Sequence, residues 1–276
     1  MTIPLPVKQL NIMLTMAFAL ALSACGESTS STQGTLFSQG TTTPAPTQDD
    51  FNQSLLLQNL TDNVIVPTYT KFAELAKTQA TSIAQYCDAL KAETSEAASF
   101  QADAQQSWRD AMAVWQMAEV MQIGPLTDNN NSLRNKIYSW PNTSACAVDQ
   151  DVVLAQDTSY LITARTPSRK GLDALEYLLF NQNLDHSCTV FGTAPQGWNN
   201  LAEHDRAVAR CELANHVATD LVTNSEALEA AWVGTSSHSG YAEIFKNAGQ
   251  VDSIFSDVHQ AVNDITDAIF YIDTVT

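Results

Sequence analysis

Basic residues are scarce in this chain: 13 lysines and arginines stand against 30 aspartates and glutamates, and charge of either sign makes up only 16% of the 276 residues. The resulting net charge of −17 repels phosphate backbones and anionic lipid head groups, which argues against nucleic acid as a ligand and favours cations, metal ions included. Glycine is also scarce, with 10 residues, and no stretch of useful length alternates apolar with polar residues or carries hairpin turn chemistry. A β-sandwich or barrel is thereby excluded. Cys-x-x-Cys, His-Glu-x-x-His, a Gly-x-Ser-x-Gly elbow, a phosphate loop and a dinucleotide fingerprint are all missing, so zinc-ribbon, zincin and nucleotide chemistry lack their usual sequence support. His186, His204, His216, His238 and His259 form no i,i+4 pair and read as ordinary surface or capping residues. What is present is 45% hydrophobic content, ample for a packed core in a chain of about two domains' length.

The amino terminus reads as an export signal. Lys8 is the only charge in the first 24 residues, and Ile12 to Leu22 is an apolar run of 11 residues broken only by Thr15, the length of a secretory h-region and too short for a bilayer. Leu22-Ser23-Ala24-Cys25 follows and resembles the bacterial lipobox, in which the cysteine is acylated and becomes the first mature residue. Residues 1–24 are therefore expected to be a lipoprotein signal peptide and Cys25 a membrane anchor, each buried methylene adding about 0.8 kcal/mol. Gly26 rather than aspartate after the cysteine favours the outer membrane. Glu27 to Asp50 is rich in Ser, Thr, Gln, Gly and Pro without an apolar period, a flexible tether to a domain spanning 51–276.

Cys87, Cys146, Cys188 and Cys211 remain, and four cysteines in an oxidising envelope imply two disulfides. Of the three possible pairings the local one, Cys87 with Cys146 and Cys188 with Cys211, is expected.

From Phe51 onward the period is helical. A first stripe, Leu55 to Ala76, is interrupted at Pro67, which should kink or divide its helix. A second helix is expected from about Ser95 to Ile123, stopped by Gly124-Pro125, with Trp108, Met112, Trp115, Glu119 and Gln122 facing inward. An irregular stretch at Thr127 to Ser132 precedes Leu133 to Trp140, and Pro141-Asn142 breaks the chain again. Gly171 to Phe180 reads as a short helix, Asn181 to Gly197 as loop, and Trp198 to Trp232 as a long helix. After Gly234 to Gly240, Tyr241 to Val275 is again periodic. The fold class is all-α, a helical bundle. The last stripe is still amphipathic at Thr276 with no stop signal before it, so further helices are expected beyond this sequence.

Two features point to chemistry. Glu119 is in register with the Trp and Met stripe, so a carboxylate is aimed inward and must be paired, protonated or bound to a cation; Arg109 and Arg134 are the candidate partners. Asp173 and Glu176 stand at i and i+3 on one helix face, where two carboxylates suit a hard cation, although acids in a first turn also simply favour the helix dipole.

Val64 to Tyr69, Trp108 to Pro125 (WRDAMAVWQMAEVMQIGP), Tyr138-Ser139-Trp140-Pro141, Ser168 to Phe180 (SRKGLDALEYLLF) and Asn263 to Asp273 (NDITDAIFYID) resemble, in that order along the chain, the imelysin-like family of bacterial envelope proteins. The resemblance implies two four-helix-bundle halves, the second incomplete here, on an exported or lipid-anchored protein associated with iron uptake. The family's motif, Gly-x-His-x-x-Glu, matches Gly171, Asp173 and Glu176, with aspartate in place of histidine. That replacement removes the nitrogen ligand suited to zinc and leaves an all-oxygen set suited to iron or calcium. The expectation is a non-enzymatic metal-related protein with Glu119, Asp173 and Glu176 as ligands, Arg134 orienting them or balancing their charge, and an iron-uptake protein as partner. A metallopeptidase with Glu176 as general base, and a partner-binding bundle without metal, are the alternatives.

Overall fold

The chain divides between Asp50 and Phe51 into two units. The computed structural model describes residues 51–189, 194–250 and 253–275, so the expected signal peptide, Cys25 and the tether lie outside the described residues. Helix α1 (Gln53–Leu60) runs through a π-helical turn at Thr61–Ile65 into α2 (Val66–Lys91). The wide turn is how the helix absorbs Pro67, whose missing N–H falls in the first turn of α2, where a donor is dispensable. Next come α3 (Ala97–Glu119), α4 (Asp128–Ile137), α5 (Ala145–Leu154), α6 (Gly171–Phe180), α7 (Glu203–Val233), α8 (Tyr241–Lys246) and α9 (Val258–Val275). The only pairing of strands among the described residues is a two-residue bridge, Gly234–Thr235 with His238–Ser239. The class is all-α, as the periodicity implies.

Helices α2, α3, α6 and α7 close into a ring: α2 lies against α3 and α7, and α6 against α3 and α7. Tyr69, Phe72, Ala76, Ile83 and Cys87 of α2 are buried at helical spacing against Ala104, Ala111, Trp115 and Ala118 of α3, and the small residues bring the two axes close. Phe72 meets Trp115 with ring centroids 5.1 Å apart, and Tyr69 meets Trp232 of α7 at 5.4 Å. The fully buried line of α3 is thus one position off the expected stripe. Trp115 is at its centre, while Trp108, Met112 and Glu119 flank it, half-buried. At the other end Tyr241, Phe245 and Phe255 continue the aromatic cluster from Trp232 and seat α8. No helix among the described residues is long and apolar enough to cross a membrane.

Two disulfides tie these helices, but not as the sequence suggested. Cys87 pairs with Cys211, 124 residues away, and Cys146 with Cys188. Locality in sequence was the wrong guide: α2 and α7 are adjacent in the bundle, which places Cys87 and Cys211 opposite one another with Cα atoms 5.5 Å apart. The region after Gly240 also differs from one continuous periodic stretch, because a turn with Gly249 at φ +78° separates α8 from α9. Helix α5 goes unannounced by the sequence: its Val148, Val152 and the acids Asp149 and Asp151 are all buried, so no polar face marks its period.

Candidate functional site

The residues leading into α6 are anchored one after another. Arg169 donates to Asp151 of α5 at 2.7 Å, and Arg165 joins the same carboxylate at 2.6 Å. Lys170 pairs with Asp220 of α7 at 3.2 Å, both side chains fully buried. Gly171 has φ +80°, and a Cβ there would sit 2.5 Å from the carbonyl oxygen of Ile137 at the end of α4. Asp173 then accepts two hydrogen bonds on Oδ2, from the backbone N–H of Ser139 at 2.7 Å and the Ser139 hydroxyl at 3.1 Å. The aspartate at the motif position expected to hold histidine is therefore a clasp on the Tyr138–Pro141 turn, in which the Trp140–Pro141 peptide is cis.

This clasp brings the expected residues into one field. Burial raises the pKa of Asp173, and the hydrogen bonds from Ser139 pull it partly back. Glu176 is exposed, yet partial desolvation by its surroundings raises its pKa, with the neighbouring Asp173 charge adding to it. Glu119, at the end of α3, is raised by burial and slightly by Asp173, against the opposing pull of Arg134 and Trp115. Tyr138 sits among all of them, pushed up to about 12 by burial and then by the charges of Asp173, Glu119 and Glu176. Of the two arginines set against Glu119, Arg134 is the partner, but loosely, with Nη2 3.8 Å from Oε1. Its Nη1 donates to Asn135, and its buried Nε–H meets no acceptor among the described residues. Arg109 lies instead over the Phe180 ring, 4.9 Å from the centroid.

Arg134 also lines a cavity of about 450 Å³ with Gln122, Ile123, Asn131 and, from α9, Asp264 and Asp267. Burial and the Asp267 charge raise the pKa of Asp264. The wall on the α4 side is the irregular stretch foreseen around Thr127 to Ser132: Asn129, Asn130 and Asn131 are all left-handed, with φ of 52°, 58° and 58°. Asparagine tolerates that conformation better than other residues with a side chain. Among the described residues no three His, Cys, Asp or Glu side chains are gathered as a metal centre requires. Glu119, Asp173 and Glu176 as they stand share an electrostatic field rather than one coordination sphere.

The family model described as Imelysin matches residues 65–272, the greater part of the chain. The chain belongs to the imelysin family. It is 25% identical over 213 residues to iron-regulated protein A of Synechococcus elongatus, covering 77% of this chain and 50% of that protein. The structure of an iron-regulated protein A precursor from Parabacteroides distasonis superposes with a TM-score of 0.54 at 19% identity, over 76% of this chain and 54% of that one. An imelysin-like protein from Psychrobacter arcticum gives 0.51 at 16% identity, over 79% and 58%. The chain thus spans about half the length of the curated relative it matches.

For this imelysin-family chain, sequence reasoning missed three parts of the site: Ser139 as holder of Asp173, Tyr138 at the centre of the acids, and the α9 pair Asp264 and Asp267. Tyr138 and Ser139 lay inside a quoted motif block, so their presence was visible but not their contact. The i,i+3 spacing of Asp264 and Asp267 carried no sign of Arg134 across the cavity.

The raised carboxyl pKa values have a testable consequence. A carboxyl group that holds its proton more tightly when folded adds stability as pH falls through its folded pKa and gives it up as pH rises. Glu176 has no compensating cation among the causes of its shift. Glu176→Gln should therefore be at least as stable as the parent at about pH 7, and this advantage should shrink as pH is lowered to about 5. Thermal melts across that range check it; a variant less stable at neutral pH would contradict the assignment.

Proposed function

We propose that this chain is a non-enzymatic, lipid-anchored protein of the bacterial cell envelope that binds a hard metal ion, iron first, in iron acquisition. The observation that carries the reading is that Glu119, Asp173 and Glu176, each with its carboxyl pKa raised, share one electrostatic field beside Arg134, which also lines an open cavity. Asp173 is buried, Glu119 half-buried and Glu176 exposed on the same helix as Asp173, and acids whose protonated forms are favoured with only one loose counter-charge are predisposed to trade a proton for a cation. Oxygen donors without histidine or cysteine favour Fe³⁺ or Ca²⁺ over Zn²⁺. Because fewer than three such ligands are gathered at one point, the ion would keep much of its water and be cargo rather than a resident centre. In this reading Glu119 and Glu176 supply oxygens, Asp173 supplies oxygen while fixing the Tyr138–Pro141 turn, and Arg134 balances charge.

Iron is supported by the names of the Synechococcus elongatus and Parabacteroides distasonis proteins, and export by the two disulfides together with the Leu22–Cys25 sequence. Gly26 supports the outer membrane as the place of the anchor.

The test is elemental analysis of the full chain and titration with Fe³⁺, Ca²⁺ and Zn²⁺, repeated on Asp173→Ala and Glu176→Ala. Stoichiometric Fe³⁺ or Ca²⁺ binding in preference to Zn²⁺, weakened at least about tenfold by Glu176→Ala, is expected. Zn²⁺-dependent peptide cleavage that disappears in Glu176→Gln would establish the peptidase instead. Absence of all binding would leave the acidic surface as a recognition face for a protein partner.

A further inference from the structure

A second cavity, also of about 450 Å³, lies where the end of α6 and the following loop cross α3 and α7. It shares no residue with the acid site. Its polar lining is unusual for so acidic a chain: among the described residues no carboxylate faces it, and it is built from the amides of Gln101, Gln105, Asn181 and Gln182 with the Tyr86 ring. The one charge on its wall among the described residues is Arg210, which is buried and already matched by Asp149 at 3.2 Å. The cavity is therefore close to neutral.

The hydrogen-bonding capacity of this lining is only partly used. Gln105 donates to the Leu179 carbonyl at 2.8 Å, which fixes its amide in place. Arg210 Nη1 donates to the Asn183 carbonyl at 2.8 Å, yet its Nε–H, buried, meets no acceptor among the described residues. The Cys87–Cys211 disulfide lies against the cavity and holds α2 to α7 there, so the walls are fixed by covalent as well as packing constraints.

From this geometry we propose that the cavity is a binding site for a neutral saccharide unit. A hydroxyl both donates and accepts, and so does a side-chain amide, so a row of amides matches a polyol group by group without any net charge. Tyr86 adds an aromatic surface for the apolar face of a sugar ring and a phenol for its rim. A metal ion finds no anionic donor here, and a purely apolar ligand would leave the amides unpaired. The volume falls within the range of small-molecule sites and accommodates one or two sugar rings.

The experiment uses the full chain, with N,N′-diacetylchitobiose and maltose as probes, followed by ligand-observed NMR and calorimetry. At least one is expected to bind with a Kd on the order of 1 mM or tighter. Gln101→Ala should weaken it by about fivefold, the loss of one hydrogen bond, without changing the melting temperature. Tyr86→Phe should weaken it as well, and Glu176→Gln should leave it unchanged, which separates this site from the metal reading. Failure of both sugars to bind at about ten times that concentration overturns the proposal. So does binding that Gln101→Ala and Tyr86→Phe leave intact, or binding of triglycine amide where the sugars do not bind.

Discussion

Gly171→Ala is expected to cost about 3 kcal/mol or more of folding stability, far beyond the usual effect of adding one methyl group. Two causes act together. The backbone at Gly171 has φ +80°, a region that a residue with a side chain enters only at a cost of about 1 kcal/mol. The new Cβ would also lie 2.5 Å from the Ile137 carbonyl oxygen and 2.9 Å from that of Lys136, and neither is the end of a flexible side chain. The chain would have to push α6 away from the end of α4, which is the approach that lets Asp173 reach Ser139. Gly197→Ala is the matched control: its φ is +74°, but nothing lies within 4 Å of the added atom, so only the conformational part, about 1 kcal/mol, should remain. Urea unfolding of both variants separates the two parts. A loss at Gly171 no larger than at Gly197 would mean that the close approach to α4 is absent.

Asp149→Ala should be still more damaging, by about 3–5 kcal/mol, because it strands a buried arginine. Asp149 is fully buried, and its carboxylate gathers the Ser187 backbone N–H at 2.6 Å, the Ser187 hydroxyl at 2.8 Å, the Tyr177 hydroxyl at 2.9 Å and Arg210 Nη2 at 3.2 Å. The Ser187 and Tyr177 donors lose their acceptor when the carboxylate goes, and Arg210 loses its counter-charge, keeping on Nη2 only the neutral oxygens of Tyr177 and Asp185 at 3.3 Å; its side chain is 2% exposed, so water cannot screen the charge. The exposed pair Lys71 and Glu74, also at 3.2 Å, should change stability by less than about 1 kcal/mol when broken. Equal small effects at the two pairs, read from the same denaturation curves, would contradict the buried network.

What the sequence made legible follows from what repeats along it. Helices α2, α3, α6 and α7 were visible because Tyr69, Phe72 and Ala76, or Trp108 and Trp115, recur at helical spacing. The motif residues Gly171, Asp173 and Glu176 were visible because they match a family pattern in order. Contacts that depend on how helices are stacked were not visible. The pairing of Cys87 with Cys211 required knowing that α2 lies against α7, and the grip of Ser139 on Asp173 required the close approach of α4 and α6 that Gly171 permits. Helix α5 was hidden for a related reason: Asp149 and Asp151 look like surface residues until Arg210 arrives from α7 and the chain turns back to bring Arg165 and Arg169.

The most direct test of the central claim, that Glu119, Asp173 and Glu176 form a site for a hard cation, is the affinity of the full chain for iron. Fe³⁺ would be offered as its citrate complex at about pH 7 and about pH 5.5, to the parent and to Glu119→Gln/Glu176→Gln. The account predicts that the parent binds more weakly at the lower pH, because protons compete for acids whose pKa values are raised, and that the double variant binds at least about tenfold more weakly with a flatter pH dependence. Equal affinities of the two chains at both pH values, with both folded, would contradict it.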